Sequence, residues 1–282
     1  MSLVSERVGQ FFVDDHRLEF TEYGGGDRWV VLLPAQLTSR RSQERLARRI
    51  AAAGAHVVAL DLLGHGRSDR PVDPTAYSTQ ASAAHTVALL DHLGVGSAIL
   101  GGTALGANVA LEVALGAPDR VRGLVLDGPV LDNAVESAIL VSAPLLLVAR
   151  FLPGVITGVR WGSRAVPRRL LPTWAALMVD GLDQHPAPMA ATLHGFFFGR
   201  TAPPASDRSR LDLPVLVIAR AADPLHPAAD AALIGDEVPG AVLLHANAPW
   251  ERLLSPARLD RAAVEFVTSC FETPARGRLA SG

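Results

Sequence analysis

The sequence predicts an α/β protein with a mostly parallel central sheet, helices on both faces and an inserted helical segment. Short apolar runs without polar alternation, such as Trp29 to Leu33, alternate with helix-length segments up to residue 130. That alternation stops from Leu131 to Pro204, where apolar helix-like stretches are punctuated by Pro153, Pro167, Pro172 and Pro186. It resumes with Val215 to Ala219 and runs to a closing helix.

Taken in order, residues 7 to 22 alternate around Asp14-Asp15 and predict a hairpin, and Gly24-Gly25-Gly26 turns into a strand over 29–33. The triple glycine lacks dinucleotide-loop spacing and precedes a strand rather than a helix, so it reads as a turn. Helices follow over 42–53, 79–93 and 106–115, with strands over 56–60, 98–101 and 121–126. After the insertion come a strand over 215–219, a helix over 228–238, a strand over 241–244 and a helix over 256–266. The expected organisation is a core of residues 1–130 and 205–273, a helical lid over 131–204 and a mobile tail over 274–282, which has no apolar partner.

Composition excludes several functions. Lys+Arg 26 against Asp+Glu 28 leaves a net charge of -2, which argues against a nucleic-acid partner. With 49% hydrophobic and 19% charged residues the chain can build a large core. It has no lysine, which removes Schiff-base chemistry and the GK[ST] phosphate loop. A single cysteine, Cys270, permits no intrachain disulfide and sits in an apolar helix as a packed side chain. With MSLVSERVGQ too polar for a signal peptide, the expectation is a cytoplasmic protein. The apolar stretch from Ala138 to Val159 is broken by Pro144, Arg150, Pro153 and Gly154, so no stable membrane span is expected. Oligomeric state is left open.

Three separated segments carry chemistry. Asp61-Leu62-Leu63-Gly64-His65-Gly66-Arg67-Ser68 has the pattern D-x-x-G-x-G-x-S after a strand, and its glycines permit a compressed turn. Gly101-Gly102-Thr103-Ala104-Leu105-Gly106 lies between a strand and a helix, with glycines flanking position 104 where a sharp bend needs small neighbours. Val215 to Ala219 runs into Arg220-Ala221-Ala222-Asp223, then Pro224-Leu225-His226-Pro227.

In these three segments the chain resembles the α/β-hydrolase fold, in the lid-bearing esterase-like branch. The resemblance implies that Ala104 occupies the nucleophile slot and Asp223 the acid slot, while the Leu105 and Gln36 N–H groups, with Ala35 beside them, form an anion-binding pocket. It implies that His65 holds its loop, and it accounts for Asp61, His65 and Asp69 without a metal. The family's histidine falls at Ala248-Pro249, where no side chain can move a proton. His245, four residues earlier, is the nearest imidazole and a possible base, and Arg220 could divert Asp223 by pairing with it. Asn247 and Glu251 flank the lost slot, making Glu251 a possible acid or base; His226 and Asp127 are further polar candidates. Trp161, Trp174, Phe197 and Phe198, with Phe196, are expected as lid walls against a substrate.

Ala104 stands either for a replaced serine or for a chain that naturally lacks one, and as given it excludes ordinary Ser-His-Asp hydrolysis. The resulting expectation is an enzyme acting on a small, largely apolar organic molecule by ester or lactone hydrolysis, or by a non-hydrolytic lyase or cyclase step of secondary metabolism. It needs no cofactor. The alternative is an inert relative that binds a ligand or protein partner in the retained pocket.

Overall fold

A computed structural model describes residues 4–220, 223, 225–248 and 251–272. The expected tail, 274–282, lies outside the described residues. The strands are β1 (Glu6–Val13), β2 (His16–Gly24), β3 (Trp29–Leu33), β4 (His56–Leu60), β5 (Ala98–Thr103), β6 (Val121–Asp127), β7 (Val215–Ala219) and β8 (Val242–His245). The helices are α1 (Glu44–Ala52), α2 (Thr79–His92), α3 (Leu105–Gly116), α4 (Val135–Phe151), α5 (Pro153–Ala165), α6 (Thr173–Gly181), α7 (Pro186–Phe198), α8 (Ala205–Arg208), α9 (Ala228–Glu237), α10 (Glu251–Leu254) and α11 (Ala257–Glu272).

The eight strands form one sheet in the order β1-β2-β4-β3-β5-β6-β7-β8. β1 pairs antiparallel with β2 and β2 with β4; every other pair is parallel. Asp14 and Asp15 take φ of 49° and 61°, the left-handed turn that a two-residue hairpin needs. The parallel strands other than the edge strand β8 bury both faces, so their side chains alternate between two apolar layers. Val31 and Leu33 join the layer formed with Leu89 of α2, Val109 of α3 and Ile234 of α9. Val30 and Leu32 join the opposite layer with Ile50 of α1 and Val267 and Cys270 of α11. Burial pushes the Cys270 thiol up to about 11, so it packs as an apolar group.

Helices α4 to α7 lie between β6 and β7. The prolines that break up this segment start helices rather than interrupt them: Pro153 and Pro186 open α5 and α7, where a missing N–H costs nothing. Pro144 is the exception, inside α4. The insertion has a small apolar centre of Ala149, Ile156, Met189, Ala190 and Leu193. Many of its large apolar side chains face outward, among them Leu140, Leu147 and Phe151. Among the described residues no single helix is long and apolar enough to cross a membrane, although Ile139–Phe151 and Pro153–Ala165 do so by length and composition as a pair bent by 100°.

Two buried carboxylates tie loops to the core. Asp61 accepts from the Arg40 N–H at 2.6 Å, the Arg67 N–H at 2.9 Å and the Arg40 guanidinium. A Cβ on Gly66 would lie 2.1 Å from the Asp61 carboxyl, which explains the second glycine of that loop. Asp230 of α9 accepts from the N–H groups of Leu131, Asn133 and Ala134 at 2.6, 2.9 and 3.1 Å, and so fixes the start of the insertion.

Candidate functional site

At the carboxyl end of β5 the chain reverses into α3 within one residue. Ala104 takes φ 49° and ψ -111°, a conformation that costs an L-residue about 1–3 kcal/mol and persists only where its surroundings impose it. Here they do. A Cβ on Gly102 would sit 2.1 Å from the Gly106 carbonyl group, and one on Gly106 would sit 2.3 Å from the Leu33 oxygen. Strand and helix therefore meet backbone to backbone, and the Ala104 N–H is held by the Asp127 carbonyl at 3.0 Å.

Above this bend lies a cavity of about 360 Å³, the liquid volume of roughly a dozen waters. Ala35, Gln36, Ala104, Leu105, Asn108 and His226 form its floor, and the insertion supplies apolar wall residues including Ile139, Leu145, Phe196 and Phe197. No Arg, Asp or Glu is among the described residues that line it. Leu105 opens α3, so its N–H has no preceding helical carbonyl and faces the positive end of the helix dipole. The Gln36 amide is enclosed with neither Nε2 nor Oε1 hydrogen-bonded, leaving a donor and an acceptor for a bound molecule. Asn108 ties the floor together, donating to the Val130 and Thr201 carbonyls at 2.7 and 2.9 Å, one before α4 and one after α7.

Asp223 follows β7 and accepts from the Leu225 N–H at 2.9 Å, from the His226 N–H at 3.3 Å and from His226 Nδ1 at 2.8 Å. A carbonyl or carboxylate partner fixes the tautomer, so Nδ1 carries the proton. Burial raises the Asp223 pKa, but the bonds from His226 and Leu225 and the nearby Arg220 outweigh it and hold the carboxyl well below its usual range. Arg220 sits 3.5 Å from Asp223 but makes its shorter contact, 3.0 Å, with Asp127. Asp127 also meets Arg252 at 2.7 Å; the two guanidiniums overcome its complete burial and lower its pKa, so it is a locked ion-pair centre rather than a proton carrier.

Several sequence expectations need correction. His245 ends β8 with its side chain exposed and does not line the cavity, because the strand stops before the chain turns back. Glu251 begins α10, where Arg258 binds it at 2.9 Å and the Asn247 N–H bonds its other oxygen; the Arg258 bond leads in keeping its carboxyl below the usual range, against the opposing effect of burial. Its two oxygens are thus engaged by Arg258 and the Asn247 N–H, and Glu251 is not among the residues that line the cavity. Ala248 is among the described residues, whereas Pro249 lies outside them. Trp161 is 79% exposed and Trp174 and Phe198 are exposed, and none of the three lines the cavity above Ala104. Helical geometry explains Trp161: α5 buries Ile156 and Ser163, and a residue two before Ser163 points to the opposite side. Phe196 and Phe197 carry the aromatic wall instead. The residue that sequence reasoning undervalued is His226; its signal was an imidazole three positions after the acid slot.

This bend, with its pocket at the carboxyl edge of a parallel sheet, defines an α/β-hydrolase type of architecture. Residues 28–159 match the model of a family described as the alpha/beta hydrolase fold. A hydrolase structure from Pseudomonas aeruginosa PA01 superposes with a TM-score of 0.73 over 94% of this chain and 98% of its own, at 22% identity. The enol-lactonase structure from Burkholderia xenovorans LB400 gives 0.73 over 94% and 100%, at 18% identity. A 2-hydroxymuconate semialdehyde hydrolase from Pseudomonas sp. strain CF600 is 40% identical over 100 residues, 36% of this chain and 30% of that protein. The chain thus spans about a third of the length of the curated relatives it matches.

Proposed function

We propose that the chain is an enzyme that converts a small, neutral, largely apolar organic molecule in the cavity above Ala104, by ester or lactone hydrolysis or by a non-hydrolytic step on a carbonyl compound. The observation that carries this reading is the strained bend kept at Ala104 beneath a cavity that also receives an Asp223-held imidazole. Residues held in such sparsely populated conformations cluster at functional sites, which supports this reading. The uncharged lining supports a neutral substrate, since a buried carboxylate or ammonium would need a partner there. The insertion serves as the cap over this substrate. The buried Cys270 needs no oxidising compartment, which supports a cytoplasmic setting.

Ala104 at the nucleophile position favours a second reading, a protein that binds such a molecule without turning it over. The test is a panel of small neutral esters and lactones, followed by product release and by thermal stabilisation, on the wild type and on Ser142→Trp, which fills the cavity from α4. Turnover lost in Ser142→Trp supports the enzyme. Stabilisation without turnover, also lost in Ser142→Trp, supports the binding protein. Turnover or binding that Ser142→Trp leaves unchanged rejects both.

A further inference from the structure

We propose that His226, oriented by Asp223, is the base of this site and that it activates water directly, so that the reaction proceeds without an acyl-enzyme. This rests on the enzyme reading above. Four observations support it. His226 lines the same cavity as Ala104, Leu105 and Gln36. Its Nδ1–H is committed to Asp223, so Nε2 holds the free lone pair, and Nε2 makes no hydrogen bond to any described residue. The backbone is shaped to seat the ring: Gly128 has φ +61°, and a Cβ there would lie 3.2 Å from His226 Cβ and 3.1 Å from Arg220 Nε. Finally, Ala104 has no atom that can attack, and neither hydroxyl that lines the cavity, Ser142 or Thr201, is hydrogen-bonded to His226, so water takes the part of nucleophile. The acid and the base thus come from one loop, three residues apart.

In the step this assigns, Nε2 of neutral His226 accepts a proton from water as the water oxygen bonds to the substrate carbonyl carbon. The carbonyl π pair moves onto oxygen, facing the Leu105 and Gln36 N–H groups. The intermediate collapses with cleavage of the bond to the leaving oxygen, and the imidazolium returns its proton to that oxygen. Ester and water yield acid and alcohol, and His226 ends neutral. Asp223 touches no reacting atom; it is a positioning residue that stabilises the imidazolium.

The test is kcat/KM against pH for a neutral ester that the wild type turns over, with His226→Gln, Asp223→Asn and the control His245→Gln. Intact-protein mass spectrometry of the same reactions accompanies it. The expected result is a wild-type rate that rises with pH through one protonation and no acyl adduct. His226→Gln then falls by about 10²–10⁴-fold in kcat and loses that pH step, whereas His245→Gln stays within twofold. Asp223→Asn lowers kcat while KM is kept. A second variant guards against misfolding: millimolar imidazole restores turnover to His226→Gly and does nothing for the wild type. Turnover by His226→Gln within threefold of wild type, or an acyl adduct, overturns the inference while leaving the enzyme reading intact. Absence of turnover with every ester and lactone overturns the inference together with the hydrolytic form of the enzyme reading.

Discussion

Acidification tests whether His65 holds its loop by packing rather than by charge. The ring is 1% exposed, donates from Nδ1 to the Leu63 carbonyl at 2.9 Å and meets the edge of Phe196, a cavity wall residue. Its Nε2 is buried without a partner. Burial lowers the pKa from 6.5 to about 4, against smaller opposing effects of the Leu63 carbonyl and Asp61. Below pH 6.5 the unfolded chain takes up a proton that the folded chain refuses, so stability falls as the pH drops from 6.5 and the loss levels off near 4. At pH 4.5 a shift of this size corresponds to about 2–3 kcal/mol. Urea unfolding of the wild type and of His65→Gln at pH 7 and pH 4.5 reads the effect as a double difference, in which all other titrating groups cancel. The acid-induced loss is expected to be smaller in His65→Gln by about 2–3 kcal/mol. Equal losses in the two proteins, within about 0.5 kcal/mol, would refute the reasoning.

Gly102→Ala drives a Cβ into the Gly106 backbone, which has no way to yield. It should cost about 3 kcal/mol or more and lower Tm by roughly 6–12 °C in a thermal melt; an unchanged Tm contradicts the close approach of β5 and α3. Asp230→Ala leaves the Leu131 and Ala134 N–H groups without their acceptor, so it should cost about 3 kcal/mol and speed amide exchange across 131–134 ahead of the sheet. Glu251→Gln should leave turnover within twofold of wild type, since Glu251 serves Arg258 and Asn247 rather than the cavity. Phe197→Ala opens the aromatic wall and should shift preference toward bulkier esters in a competition assay.

The sheet was legible because each parallel strand is a short apolar run, and because Gly102 and Gly106 bracket the one position that must bend. Boundaries were less so: β5 reaches Thr103 rather than ending at Gly101, because Gly102 and Thr103 still pair with Leu126 and Asp127 of β6 although they carry no apolar side chain. The site was only partly readable. Positions 36, 104, 105 and 223 follow from local backbone patterns, which survive in sequence. The proposed base does not, because its placement depends on the bond between His226 and Asp223 and on the absent side chain at Gly128, neither visible as a pattern. Trp161 and Trp174 drew attention as large aromatics, but which helix face looks inward depends on how α4 to α7 pack on one another. Glu251 had the right chemistry, and only the position of Arg258 shows it to be already engaged.

The most direct measurement is a crystal structure of the wild-type protein soaked with a small neutral ester or lactone at saturating concentration. The account predicts one molecule in the cavity above Ala104, its carbonyl oxygen about 2.7–3.1 Å from the Leu105 N–H and an ordered water between its carbonyl carbon and His226 Nε2. A ligand seated elsewhere, or one in the cavity whose carbonyl faces away from both Leu105 and His226, would contradict it.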